Sequence, residues 1–216
     1  MTTTSPRPSP PMARLRAWVL RCDGEKSWAA RAVVTLAFLW IFWHHLRDRW
    51  YSSIFDGMNL AFHEIGHVLF GFLGNEFITV AGGTILELTI PLVAAGILFR
   101  QGDAYGVGVA VFWFGTALQS VGQYIADTRS QIFPRVSIGP ATGPDDWTYL
   151  LSHFDLIRHD VTIGTGVQRV GLVVLAVALV YSAWVVWLIA SSPPPPEPAL
   201  DEEEVRFAAW LKEREG

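Results

Sequence analysis

Five windows of this chain are too long and too apolar to leave backbone polar groups exposed. They run roughly from Ala29 to His45, Ile54 to Gly74, Ala81 to Phe99, Tyr105 to Ala126 and Val170 to Ile189. About 20 such residues suffice to cross the hydrocarbon core of a bilayer as a helix. No water reaches that core to satisfy an N–H or C=O, so each window must form its hydrogen bonds internally. The expected fold is therefore all-α: a polytopic membrane protein with about five transmembrane helices, or six if the third window contributes a separate re-entrant segment. Composition agrees, since 51% of the residues are hydrophobic, ten are Trp, and only 17% are charged, against about 25% in an ordinary soluble domain.

The third window is interrupted by Gly82, Gly83, Glu87 and Pro91. Ala81-Gly82-Gly83-Thr84 reads as a re-entrant or extended turn. Non-helical backbone at membrane depth is tolerated only against protein or water, which would make this turn line a cavity. Trp40, Trp43, Trp50 and Tyr51 bracket the end of the first window as an interfacial belt, with His44 and His45 among them.

Residues 1–28 bear Pro and Arg but lack an apolar core followed by a small-residue cleavage site, and so read as a retained N-terminal tail. Residues 29–190 form the membrane domain, including a polar loop over 127–169. Residues 191–216 hold four consecutive prolines and an acidic tail, with a short acidic helix expected over Asp201 to Glu215. Arg7, Arg14, Arg16, Arg21 and Lys26 lie in the first tail; Arg129, Arg135, Arg158 and Arg169 lie between the fourth and fifth windows. An N-inside, five-span arrangement puts both groups on the cytoplasmic face and the C-terminal tail outside. Much of the formal net charge of -4 comes from that tail. No basic stripe suggests a nucleic-acid partner.

The chemistry-bearing motif is His63-Glu64-Ile65-Gly66-His67, inside the apolar stretch Met58 to Gly74. Positions i and i+4 of a helix share a face, so both imidazoles can reach one metal ion. Glu64 projects beside them, where it can take a proton from an attacking water. A charged residue at the bilayer centre costs at least roughly 2.5 to 3.5 kcal/mol, so Glu64 calls for a compensating ion and water. Cys22 is the only cysteine, which leaves His and carboxylates to hold the metal.

A catalytic zinc takes three protein ligands and keeps one position open. Asp127, at the end of the fourth window, is the first candidate for the third ligand. Asp145 and Asp146 are the second choice, with Asp146 the alternative ligand, although aspartate before a helix is also an ordinary N-cap. Glu87 reads as a residue near the membrane surface, with a substrate contact or proton carrier as alternatives. Asp155, His153 and His159 read as solvent-facing. Asn59, one turn before His63, is a candidate contact for a ligand imidazole or a substrate carbonyl, and Gly82 and Gly83 are candidate contacts for an extended substrate. Gly66, Gly71 and Gly74 would let a second helix approach the motif closely.

With these residues the chain resembles the site-2 protease family of intramembrane zinc metallopeptidases, as a small bacterial member without a PDZ domain. The resemblance rests on the HExxH motif in the second window and an aspartate two windows later. Gln119, Gly122, Asp127 and Thr128 stand at the Asn, Pro, Asp and Gly positions of that family's NxxPxxxxDG motif. It implies a three-helix core, Zn²⁺ held by His63, His67 and Asp127, Glu64 as general base, and membrane-embedded peptides as substrates. It also implies a bacterial inner membrane, with a cytoplasmic N-terminus. The competing expectation is a non-proteolytic metal-binding membrane protein, a regulator or transporter using the same His pair, for which Glu64 would be dispensable.

Overall fold

The computed structural model describes residues 10–23, 27–132 and 145–192. Among these, all regular structure is helical: α1 (Pro11–Asp23), α2 (Trp28–Arg47), α3 (Asp56–Gly71), α4 (Glu76–Gln101), α5 (Ala104–Ala126), α6 (Asp146–His153), a 3-10 turn (Ile157–His159) and α7 (Asp160–Ala190). The proline run from Pro193 and the acidic tail lie outside the described residues, as do Lys26 and Arg135.

α5 is the axis of the bundle. Gly108, Gly115 and Gly122, seven residues apart, form a stripe facing Ser182, Leu175 and Gln168 of α7. Small residues at such spacing let two backbones approach, the main source of helix affinity where surrounding lipid is as apolar as the side chains. The two helices are antiparallel, with Tyr181 donating to the carbonyl of Ala104 at 3.0 Å and Gln119 donating to that of Gln168 at 2.7 Å. α2 lies alongside and parallel to α5, its Phe38 ring stacked on Phe112 at 4.0 Å. Outward faces remain apolar: Val33, Leu36, Trp40, Val93, Ile97, Val173, Val177 and Val180 are all exposed. A helix that is apolar on its exposed face as well suits lipid.

Four helices among the described residues are long and apolar enough to cross a membrane: α2, α4, α5, and α7 with its preceding 3-10 turn. The second expected window is not one of them. Beyond α2 the chain doubles back, held where Gln123 donates to the carbonyls of Arg49 (3.1 Å) and Tyr51 (2.9 Å) and Gln168 donates to that of Arg49 (2.7 Å). Phe55, the residue before α3, sits 6.1 Å from Phe112 and 6.4 Å from Phe38, halfway along α2. α3 thus starts at mid-bundle. Its 16 residues extend about 24 Å at 1.5 Å each, short of the roughly 30 Å hydrocarbon core.

Two further expectations change. Ala81-Gly82-Gly83-Thr84 is no turn, because α4 runs unbroken from Glu76 to Gln101 through both glycines and Pro91. Within the expected N-terminal tail, α1 packs on the bundle. Val19 is fully buried with Tyr105, Val185, Leu188 and Ile189, and buried Asp23 accepts from Arg31 and from the Tyr105 backbone N–H, both at 2.9 Å. The same contacts put α1 and the end of α7 at one end of the bundle, whereas the five-span arrangement separates them. The difference follows from α3, which is not among the four helices long and apolar enough to cross.

Candidate metal centre

α3 and α4 form an antiparallel pair that meets at glycines. A Cβ on Gly66 would stand 2.8 Å from Gly82 C and from Gly83 Cα, too close for any side chain. This contact turns His63 and His67 toward α4. Its facing stripe is Thr79, Gly83 and Glu87, spaced four residues apart and so aligned on one side.

Each imidazole is anchored through Nδ1. That of His63 meets Glu87 Oε2 at 3.0 Å, and that of His67 meets the Thr79 carbonyl oxygen at 2.9 Å. With Nδ1–H donating to an acceptor, Nε2 is the atom of each ring left to bind a metal once it gives up the proton it donates to Asp146. Both Nε2 atoms point to one carboxylate oxygen, Asp146 Oδ2, at 2.9 Å from His63 and 3.0 Å from His67. Burial opposes the charge on Asp146, but hydrogen bonds from His63 and His67 outweigh it and hold the carboxyl well below the usual range.

His63, His67 and Asp146 are the group among the described residues that can hold a metal, with ligand atoms all within 4.8 Å of one another. Ligands on a tetrahedral ion at bond lengths of 2.0–2.1 Å lie about 3.4 Å apart. The observed contacts therefore need to open by only a few tenths of an ångström. A carboxylate or carbonyl behind each ligating histidine is the usual support that orients the ring and raises its basicity. Gly83 completes the fit. Its missing Cβ would lie 2.5 Å from His67 Nε2 and 2.7 Å from His63 Nε2, in the space that an ion on the two imidazoles needs.

The two aspartates at the start of α6 divide the roles weighed for them. Asp145 is the N-cap, accepting from the Thr148 backbone N–H at 3.0 Å and its hydroxyl at 2.7 Å, which frees Asp146 to turn inward. Asp127, the first candidate from sequence, is not in the group. Its Oδ1 accepts from Ser130 Oγ at 2.7 Å and from the Ile132 N–H at 2.8 Å, closing the turn after α5. Gln119 and Gly122 face α7 and not the histidines.

Glu64, the residue after His63 on α3, is buried, 8% exposed. Asn59 accepts from Trp113 Nε1 at 2.8 Å, so its carbonyl end is engaged within the protein. His153, Asp155 and His159 are exposed, as expected, and the His153 ring also packs 5.1 Å from that of Phe77 and 5.2 Å from that of Phe154. Glu87, expected near the membrane surface, is 3% exposed and stands behind His63. Its spacing from Thr79 and Gly83 is the sequence signal that could have found it.

Beside His63, on the side away from His67, a cavity of about 230 Å³ opens among the α2–α3 connection, α3, α4, α5 and α6, walled by Leu60, Glu87, Val121, Tyr124 and Trp147. Comparison of the chain with protein-family models, with curated proteins and with solved structures gave no match.

Proposed function

We propose that the protein is a zinc-dependent peptidase that cleaves membrane-embedded or membrane-adjacent peptide segments, of the kind the site-2 protease resemblance suggests, with His63, His67 and Asp146 as ligands. The observation that carries this reading is the convergence of two Nε2 atoms on Asp146 Oδ2, from a helix that also carries Glu64, the residue after His63. When bound, the ion supplies Lewis acidity, which acidifies water and polarises a peptide carbonyl.

The remaining work falls to the chain's own residues. Glu64 accepts the proton of the attacking water and returns it to the departing amine nitrogen. Glu87 and the Thr79 carbonyl hold the imidazoles in register, so little reorganisation is needed as charge develops. Gly83 keeps the approach to both Nε2 atoms clear. A substrate helix shields its carbonyls within its own hydrogen bonds, so the segment to be cut must unwind first.

Water can enter from the end of the bundle where α3 emerges and α6 lies across it. A half-length α3 serves this arrangement, since it puts His67 near an aqueous face while His63 sits deeper.

The test compares metal content and cleavage of a panel of transmembrane peptides between the purified protein and Glu64→Gln. Stoichiometric zinc in both, with cleavage only by the unsubstituted protein, is the expected result. Zinc in both with cleavage by neither would favour a metal-binding regulator or carrier. Absence of zinc in both would remove the basis of the proposal.

A further inference from the structure

The cavity beside His63 is not needed to hold a metal, and its walls have a specific chemistry. Leu60, Val121, Tyr124 and Trp147 make it largely apolar. Two polar atoms of its wall residues have no hydrogen-bond partner: Glu87 Oε1, an acceptor, and Trp147 Nε1, a donor. The Ser120 hydroxyl interacts with the Glu87 carboxyl but leaves Oε1 without a hydrogen bond of good geometry. Buried polar groups are normally satisfied, and each one left over costs a desolvation penalty that an occupant can relieve. A dry void would have no such atoms, since cavities that stay empty of water are apolar throughout.

Both atoms are closed off in this structure, so an occupant reaches them through a small shift of the Glu87 and Trp147 side chains, and to satisfy both it must offer one N–H and one C=O together with apolar bulk. One residue of an extended peptide does so, through its main chain and its side chain. The volume argues the size of that side chain. A cavity of about 150 Å³ accommodates a benzene ring, and this one, of about 230 Å³, has room for such a ring plus the adjoining main-chain atoms. Its position argues the register, because His63 is at once a wall of the cavity and a member of the metal group. A peptide carbonyl at the metal would leave the neighbouring residue at the cavity mouth.

We propose that this cavity is a substrate side-chain subsite, selecting a large apolar or aromatic residue adjacent to the scissile bond, with Leu60 as a residue that sets its depth. The proposal rests on the peptidase reading above. Leu60 is half-buried on α3, one turn before Glu64, so its side chain can be changed without altering a ligand. Leu60→Trp fills the cavity and Leu60→Ala deepens it.

The experiment uses the full-length, zinc-loaded protein in detergent. It measures binding of short peptide hydroxamates that differ only in the side chain next to the chelating group: alanyl, phenylalanyl and naphthylalanyl. Cleavage of matched peptides is followed in parallel. The unsubstituted protein is expected to bind the phenylalanyl compound at least about 10-fold more tightly than the alanyl one, the scale on which apolar pockets discriminate by size. Leu60→Trp should erase or reverse that ratio, and Leu60→Ala should move the optimum to the naphthylalanyl compound.

If the two Leu60 variants fold, retain zinc and show the side-chain preference of the parent, the subsite is overturned, whatever the cleavage data say. Side-chain-dependent binding that follows the Leu60 variants without peptide hydrolysis would uphold the pocket and sink the peptidase reading. Hydrolysis with a preference that no Leu60 change moves would do the reverse. Failure of every hydroxamate to bind would overturn both.

Discussion

Substituting Gly83 by alanine adds one methyl group at the point where the metal site is most confined. That Cβ would stand 2.5 Å from His67 Nε2 and 2.7 Å from His63 Nε2, whereas non-bonded carbon and nitrogen do not approach within about 3 Å in relaxed packing. The imidazoles must therefore retreat by several tenths of an ångström at the least, beyond the roughly 0.2 Å that metal–ligand distances tolerate. The methyl also occupies the volume between the two nitrogens that an ion would take. Outer-shell changes alone cost about 10- to 100-fold in metal affinity, so direct obstruction should cost more than about 100-fold. The helix itself should survive, since alanine is favoured over glycine in a helix interior by about 0.8–1 kcal/mol, and the atoms that must yield belong to side chains. The assay is zinc stoichiometry by mass spectrometry across a titration, with far-ultraviolet circular dichroism and a melting curve on the same preparation. A folded Gly83→Ala protein that binds one zinc with the parent's affinity would refute this account of the site.

Asp146→Asn should lose zinc, while Asp127→Asn should retain it and only loosen the turn that Ser130 and Ile132 make with Asp127; the opposite pattern in a zinc assay would restore Asp127 as the ligand. Glu87→Gln keeps the shape of the group behind His63 but removes its charge, and should lower zinc affinity by about 10- to 100-fold, read by competition with a chelator of known affinity. Gly66→Ala should destabilise the fold by about 1–3 kcal/mol or more, because the clash is with the backbone at Gly82 and Gly83 and not with movable side chains. Thermal denaturation in detergent reads this directly.

Much of the architecture was legible because long apolar windows leave a chain few options. The positions of α2, α4, α5 and α7 follow from that alone. The errors fall where local signals were ambiguous. Gly82 and Gly83 look like helix breakers in isolation, but Gly66 on α3 requires a facing surface without side chains, and the packing that results keeps α4 continuous. The apolar run from Ile54 to Gly74 looks long enough to span, but Phe55 is drawn to mid-depth by Phe38 and Phe112, so α3 begins halfway along the bundle. Asp145 and Asp146 share the sequence signature of a helix start, and only the direction of each side chain separates a cap from a ligand.

From sequence alone came everything that depends on spacing within one helix: the helical class, and His63 and His67 on a common face with Glu64 beside them. The i to i+4 geometry of a helix does not depend on what surrounds it. Tertiary structure decided what must arrive from elsewhere in the chain. Asp146 reaches His63 across 83 residues, Glu87 and Thr79 come from an antiparallel neighbour, and Gly83 leaves the space between them open. Those choices depend on which helices pack together and how closely, and packing is a property of facing surfaces that no single segment contains.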